Sequence, residues 1–359
     1  MMKNLSLLVK PAAGLCNMEC SYCFYQAASE GRDNRIMTTE TVDELLRKIR
    51  LFAPSEVFIV FQGGEPTLTG LDFYRYFVKK FRNTITCPVR FSIQTNGLLI
   101  DDEWAAFLKK NDFLVGVSLD GNRETNDRYR HGKTDGSVMS FVLSAVSVLK
   151  KHEVDFNILS VVDDHNAEDI ESTWRYFKKH GFRFLQFIPC IDEGGGVKLS
   201  PENYETFLKN VFDLWYEELL KGTYVSVRHI DNYVGILMGR QPESCAMCGT
   251  CGHYCVVEAN GDVYPCDFYC KKERLLCSVY DERPFEMNDK HREFIEESKI
   301  IHDTCKNCRY YVLCRGGCKR NRTDGFTKNQ YCTAYYHFFE YSVQRMELAA
   351  KLFDKINHY

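Results

Sequence analysis

Through the first 221 residues, short apolar runs alternate with longer amphipathic stretches. Residues 5–10, 56–61, 89–94, 113–119, 154–161 and 183–188 are rich in β-branched, aromatic and other apolar side chains, the composition of buried parallel strands. Between them, 39–51, 71–82, 101–110, 137–151, 166–180 and 201–221 carry apolar residues at helical spacing. Thr38 and Thr39 are candidate caps for the first helix, and Pro201 opens the last. Six β/α repeats predict an α/β fold with a parallel sheet curling into a partial (β/α)6 barrel. A doubly wound sheet fits the same period. In both architectures ligands bind where the strands end.

The polar clusters fall at those strand ends. Cys16–Cys23 follows the first strand, Gly63-Gly64-Glu65-Pro66 the second, Gln94-Thr95-Asn96-Gly97 the third and Ser118-Leu119-Asp120-Gly121 the fourth. Residues 192–198, with Gly194-Gly195-Gly196, suggest a flexible turn before the last helix. From about residue 236 the alternation stops and short cysteine-bearing loops run to 332, followed by a helix over 333–356. The predicted division is 1–235, 236–332 and a terminal helix in 333–359.

Composition narrows the class. The chain has 359 residues, 45% hydrophobic and 26% charged, with a net charge of −3. That charge argues against nucleic acid as the main partner. No run reaches the roughly 20 apolar residues of a membrane span, so no membrane partner is expected. Residues 1–15 lack a signal-peptide layout, which predicts a cytoplasmic protein. The 17 cysteines are uneven: three lie in the first 23 residues, Cys87 and Cys190 are scattered, and twelve fall between 245 and 332. In a reducing compartment such clusters point to metal or redox centres.

Cys16-x3-Cys20-x2-Cys23 offers three thiolates, which suit a cubane iron–sulfur cluster with one iron open to a substrate or cofactor. A structural zinc site prefers four ligands and tighter pairs. The motif, with Tyr22 before the third cysteine, resembles the signature of the radical S-adenosylmethionine (SAM) superfamily. In that family SAM takes the open iron, and the equivalent of the loop Gly63, Gly64, Glu65 binds its amine. The resemblance assigns cofactor contacts to Tyr22, Gly63, Gly64, Glu65, Ser118, Arg130 and Leu185. On residue chemistry alone, Arg123 and Arg128 compete with Arg130 for the carboxylate.

The second cysteine array, Cys305-x2-Cys308-x5-Cys314-x3-Cys318 with Cys332 downstream and Cys251-x9-Gly261-x4-Cys266 upstream, resembles the SPASM domain, a carrier of two auxiliary iron–sulfur clusters. Together with Gln62–Thr67, Gln94–Gly97, Leu185-Gln186-Phe187 and Val263–Tyr269, it makes the chain similar to the anaerobic sulfatase-maturating enzymes. The resemblance implies three [4Fe-4S] clusters: Cys16, Cys20 and Cys23 with SAM; Cys245, Cys251, Cys266 and Cys318; and Cys305, Cys308, Cys314 and Cys332. Cys248 or Cys255 can replace Cys245 or Cys251 on spacing alone, and Cys270 and Cys277 are further extra thiols. It also implies a mechanism. A radical made from SAM removes hydrogen from Cβ of a target cysteine or serine, Asp267 takes the thiol or hydroxyl proton, and an electron leaves through the auxiliary clusters. The product is Cα-formylglycine. Tyr25 and Gln62 would line the substrate pocket. The substrate would be an unfolded sulfatase segment around C/S-x-P/A-x-R, and the electron donor a flavodoxin or ferredoxin. Two other readings share part of the pattern: a SPASM enzyme that crosslinks a ribosomal peptide through thioether or carbon–carbon bonds, and a non-enzymatic electron carrier. The second would need four protein ligands per cluster, and the first motif supplies three.

Overall fold

A computed structural model describes residues 4–25, 35–133, 136–191, 196–282, 285, 288–323 and 327–357. The strands of the repeats are β1 (Asn4–Val9), β2 (Glu56–Phe61), β3 (Val89–Thr95), β4 (Leu114–Ser118), β5 (Phe156–Val162) and β6 (Phe184–Pro189). The main helices are α1 (Thr39–Phe52), α2 (Leu71–Thr84), α3 (Asp102–Lys110), α4 (Met139–Lys151), α5 (Ile170–Lys179) and α6 (Pro201–Leu220). Each lies within a few residues of its sequence-based expectation. Thr38 caps α1, its hydroxyl accepting from the Thr41 amide at 3.1 Å. Thr39 is the first helical residue instead of a cap. Ser200 caps α6 and Pro201 occupies its first turn.

One expected helix is divided. The segment 166–180 forms a short turn, Asp164–Glu168, and then α5. Asp169 stands between them in a non-helical conformation, its carboxylate accepting from the Ser172 amide at 3.3 Å. An aspartate satisfies helix N-termini better than helix interiors, so it restarts the helix there. The turn expected over 192–198 falls mostly outside the described residues.

Past the repeats come β7 (Ser226–Val227), α7 (Arg228–Leu237), β8 (Cys255–Val257), β9 (Asp262–Tyr264), β10 (Cys277–Ser278), α8 (Asp289–Lys299) and α9 (Cys332–Asn357). The cysteine-rich stretch is therefore not all loop. β8 is only three residues long, too short to give a periodic signal.

Packing divides the chain into two compact units. The first comprises 1–119, 126–157 and 252–294, and the second 120–125, 158–251 and 295–359. In the first, β1 to β4 run parallel in sequence order, and β8 joins β1 on its other side, Leu7 opposite Cys255. The antiparallel strands β9 and β10 extend that edge. β2 alternates buried Val57, Ile59 and Phe61 with half-buried positions. Phe61 anchors an aromatic cluster, its ring centroid 5.0 Å from those of Tyr74 and Phe77 in α2 and 6.2 Å from Phe113.

In the second unit β6 pairs in parallel with β5 and β7. The terminal helix α9 packs on α6 and α7. Arg345 and Tyr341 of α9 both donate to Asp213 of α6, at 2.7 and 2.6 Å. Phe338 meets Phe212 edge-on at 6.0 Å. α9 is thus an integral layer of this unit. Among the described residues, no helix is long and apolar enough to cross a membrane.

Phe61→Ala removes the centre of the first unit's aromatic cluster. It is expected to cost about 3–5 kcal/mol, the usual price of a buried Phe→Ala change. Urea unfolding of the metal-free protein checks this; a loss below about 1 kcal/mol would show that the cluster closes over the gap.

Candidate active site

The Cys16–Cys23 loop leaves β1 and is tied down on both sides within the first unit. On one side the amides of Gly64 and Glu65 donate to the carbonyls of Ala13 and Leu15, at 2.9 and 2.7 Å. A β-carbon at Gly64 would come 2.1 Å from the Leu15 oxygen, so only glycine allows this approach. On the other side the amides of Glu19 and Ser21 donate to the carbonyls of His131 and Tyr129. Cys20 and Cys23 lie within electrostatic reach of Cys16. Burial pushes the Cys16 thiol up to about 11, and the Met18 amide, donating to its sulfur at 3.4 Å, opposes that rise. Asn96 Nδ2 also reaches this sulfur, at 3.9 Å. A buried, protonated thiol gives up its proton to a metal.

Tyr22 lies beside Arg130, whose Nη1 donates to the tyrosine hydroxyl at 2.7 Å. Arg130 is 7% exposed, whereas Arg123 and Arg128 are solvent-facing. Of the three arginines only Arg130 is joined to the cysteine loop. Ser118, half-buried, ends β4. Leu185 lies buried in β6, in the second unit.

Glu65 differs from a carboxylate waiting for a ligand. It is fully buried and already accepts four hydrogen bonds. Oε1 receives the Thr67 amide (3.0 Å), the Thr67 hydroxyl (2.6 Å) and the Thr95 hydroxyl (2.8 Å), and Oε2 receives the Asn96 amide (2.8 Å). Burial raises its pKa and these donors offset part of the rise. Its position fastens the end of β2 to the end of β3. Gly63, at φ +135°, and Gly64 let the main chain of the cysteine loop pack closely beside it. Gln62 is half-buried in the same turn, its amide donating to the Val9 carbonyl at 3.0 Å.

Asp267 is 4% exposed and both its oxygens are held. The Tyr25 hydroxyl donates to Oδ2 at 2.5 Å, and the Lys10 ammonium lies against Oδ1. Lys10 is itself fully buried. It also donates to Glu258 Oε1 at 3.0 Å and stands 4.7 Å over the Tyr25 ring. One cation thus serves two carboxylates, and the Tyr25 hydroxyl meets the second of them, Asp267. Sequence reasoning missed Lys10 and Glu258. Each is the first charged residue after an apolar strand, Leu7-Leu8-Val9 and Val256-Val257, and that placement is the signal that was available.

In the second unit, Cys305, Cys308 and Cys332 all lie within electrostatic reach of Cys314. Cys314 is pushed up to about 12 by burial, with the neighbouring thiols adding to the rise. Cys251 and Cys318 are likewise neighbours, Cys245 is exposed in the same unit, and Cys266 belongs to the first unit. The extra thiols have local partners. Cys248 Sγ faces the Ser244 carbonyl at 3.5 Å, Cys255 neighbours Cys277, and Cys270 lies 3.6 Å from Lys10 Nζ. Among the described residues no three Cys, His, Asp or Glu side chains converge tightly enough to hold one metal ion. A cubane asks for a wider spread, since each thiolate binds a different iron at the cluster's periphery. The donor sets fit that demand in chemical type: three thiols on the first loop, and four in Cys305, Cys308, Cys314 and Cys332.

The chain is similar to known proteins along nearly its whole length. The radical SAM superfamily profile matches residues 12–191. A cysteine-type anaerobic sulfatase-maturating enzyme of Clostridium novyi is 40% identical over 369 residues, covering 98% of each chain. A serine-type enzyme of Bacteroides thetaiotaomicron is 31% identical, over 97% of this chain and 92% of its own. The solved structure of native anSMEcpe with bound AdoMet and Kp18Cys peptide is 39% identical, covers 97% of this chain and 99% of its own, and superposes with a TM-score of 0.92. The chain belongs to the anaerobic sulfatase-maturating enzymes of the radical SAM superfamily.

Proposed function

We infer that this enzyme oxidises a cysteine, in preference to a serine, in an unfolded sulfatase segment of the form C-x-P/A-x-R, giving Cα-formylglycine. The higher identity to the cysteine-type relative, 40% against 31%, supports the choice of target. Residues Cys16, Cys20 and Cys23 would hold a [4Fe-4S] cluster and leave one iron for SAM. Tyr22, Gly63, Gly64, Ser118, Arg130 and Leu185 would contact SAM, and Glu65 would act mainly by shaping the loop. Two further clusters would be held by the eight cysteines implied for the cysteine-rich region. When bound, the cluster and SAM supply the hydrogen-abstracting, one-electron chemistry. A flavodoxin or ferredoxin would supply the electron. The clustering of 17 cysteines at metal-ligand spacings supports a reducing, cytoplasmic setting.

The observation that carries the assignment of the base is the setting of Asp267. Lys10 and Tyr25 grip one oxygen each, which fixes the plane of the carboxylate. Lys10 is already paired with Glu258, so the three charged groups carry one net negative charge in a buried place. A carboxylate fixed in this way is placed to accept a proton from a side chain brought against it. Tyr25 and Gln62 would line the approach of the target side chain.

The enzyme, anaerobically reconstituted and given SAM, reductant and a C-x-P-x-R peptide, is expected to convert the thiol to an aldehyde, read by mass spectrometry, faster than the matching serine peptide. Equal rates, or a faster serine peptide, would defeat the proposed preference. Asp267→Asn is expected to slow aldehyde formation by about 10²-fold or more while 5′-deoxyadenosine is still released. Unchanged aldehyde yield would remove Asp267 from the base role.

Lys10→Met leaves two buried carboxylates without their cation. It should destabilise the fold by about 3–5 kcal/mol in chemical unfolding, and Lys10→Met combined with Glu258→Gln should recover part of that loss. Additive losses would show that the pair is not coupled.

A further inference from the structure

Among the described residues, Arg322 is a buried cation with no carboxylate partner. It is 4% exposed and begins the short strand Arg322–Thr323. Its guanidinium donates to four main-chain carbonyls: Nη1 to Ser298 (2.6 Å) and Ile300 (2.9 Å), Nη2 to Gly317 (3.0 Å) and Nε to Gly316 (3.2 Å). Among the described residues no Asp or Glu pairs with it. The next buried cation along this segment, Lys319, is neutralised by Glu297. Burying a charge without a counter-ion is costly, and arginine cannot escape by losing its proton. Among the described residues, the thiols of the neighbouring cysteines are the groups that can offer it negative charge, once they are deprotonated by a metal.

The carbonyls that hold Arg322 sit among cysteines. Gly316 and Gly317 form the turn between Cys314 and Cys318. Both adopt positive φ, +80° and +63°. A β-carbon on Gly317 would strike Asn329 Nδ2 at 2.2 Å, so the turn depends on its glycines. Ser298, whose carbonyl accepts from Nη1, also accepts the Cys251 amide on its hydroxyl at 2.8 Å. The guanidinium lies within Coulombic reach of Cys251 and Cys318 on one side and of Cys305 on the other. Cys251 and Cys318 belong to one proposed cluster and Cys305 and Cys314 to the other.

We propose that Arg322 is a shared positioning residue for the two auxiliary clusters: it fixes the Cys314–Cys318 turn that gives each cluster a ligand, and its uncompensated charge raises the reduction potential of both. The proposal rests on the reading that these cysteines hold clusters. An iron–sulfur cluster becomes more negative on reduction, so a nearby fixed cation favours the reduced form. One cation acting on both centres moves their potentials together. Both clusters would then accept an electron from the substrate more readily than they would without it.

The test uses the full-length enzyme carrying Cys16→Ala, Cys20→Ala and Cys23→Ala, reconstituted anaerobically, so that any cluster signal is auxiliary. Iron content and the electron paramagnetic resonance of the reduced protein come first. If Arg322 is intact and no auxiliary cluster forms, the cluster reading itself fails and this proposal with it. With clusters present, redox titration of Arg322→Met is expected to lower both midpoints by a tenfold change in the reduced-to-oxidised ratio, about 59 mV for one electron. Arg322→Lys, which keeps the charge, should retain most of the wild-type potential. Unmoved midpoints in Arg322→Met, a shift in one cluster only, or equal shifts in the Met and Lys variants would overturn the proposal. Should Arg322→Met fail to hold iron, Ile301 offers a second route. Its side chain is 3.2 Å from the position of a β-carbon on Gly316, which in turn is 3.4 Å from Arg322 Nη2. Ile301→Glu places a counter-charge there and leaves the arginine in place. Both midpoints should fall relative to Ile301→Gln, and identical midpoints in that pair would overturn the proposal.

Discussion

The buried ammonium of Lys10 is the constraint on which the candidate site of the first unit turns. A fully buried lysine directly after a mostly buried strand must find anions or destabilise the fold. Glu258 and Asp267 supply them, and both come from a stretch some 250 residues further along the chain. That demand acts together with the hydrogen bonds of β8 on β1. The Lys10 amide donates to the Val257 carbonyl at 2.9 Å, one residue before Glu258. The same pairing that satisfies the backbone of β1 therefore delivers the first carboxylate, and the turn after β9 delivers the second. This is why residues 252–294 pack with the first repeats instead of with the cysteines that follow them.

Glu65 solves a similar problem with neutral donors. Four hydrogen bonds compensate its burial, and they come from the ends of β2 and β3. The aromatic cluster below, with Phe61, Tyr74 and Phe77, supplies cohesion without direction. The polar layer above supplies direction, because hydrogen bonds fix angles and distances that apolar contacts leave loose. The cysteine loop is held by this upper layer, through Gly64, Glu65 and Asn96, and so inherits its geometry.

The repeats were legible because buried parallel strands and amphipathic helices each have a period, and the six strand expectations fall on observed strands. Asp169 shows where period alone fails: its apolar neighbours continue a helical pattern, while its own carboxylate prefers a cap. β8 carried no period, being three residues long, and α8 was hidden by its polar sequence, Asp289-Lys-His-Arg-Glu-Phe-Ile-Glu-Glu-Ser-Lys299. At the site, Cys16, Cys20 and Cys23 were legible from spacing. Arg130 could not be separated from Arg123 and Arg128 by chemistry, and burial separates them. Glu65 was legible as important but not in its manner, because four internal donors cannot be read from Gly-Gly-Glu-Pro. Lys10 and Glu258 were invisible as partners since their meeting depends on a strand pairing across most of the chain.

Two buried cations now stand in contrast. Lys10 faces two carboxylates and fixes Asp267, the proposed proton acceptor, in a buried place. Among the described residues Arg322 faces four carbonyls and no carboxylate, a setting that would draw an electron to the clusters proposed beside it. Oxidation of a thiol to an aldehyde requires both: a proton must leave the sulfur and electrons must leave the carbon–sulfur unit. The settings of Lys10 and Arg322 differ in this way, and each suits one of these demands. Lysine suits the first because its compact ammonium can be shared between two anions. Arginine suits the second because its planar fork binds carbonyls on several sides and still carries its charge undiminished.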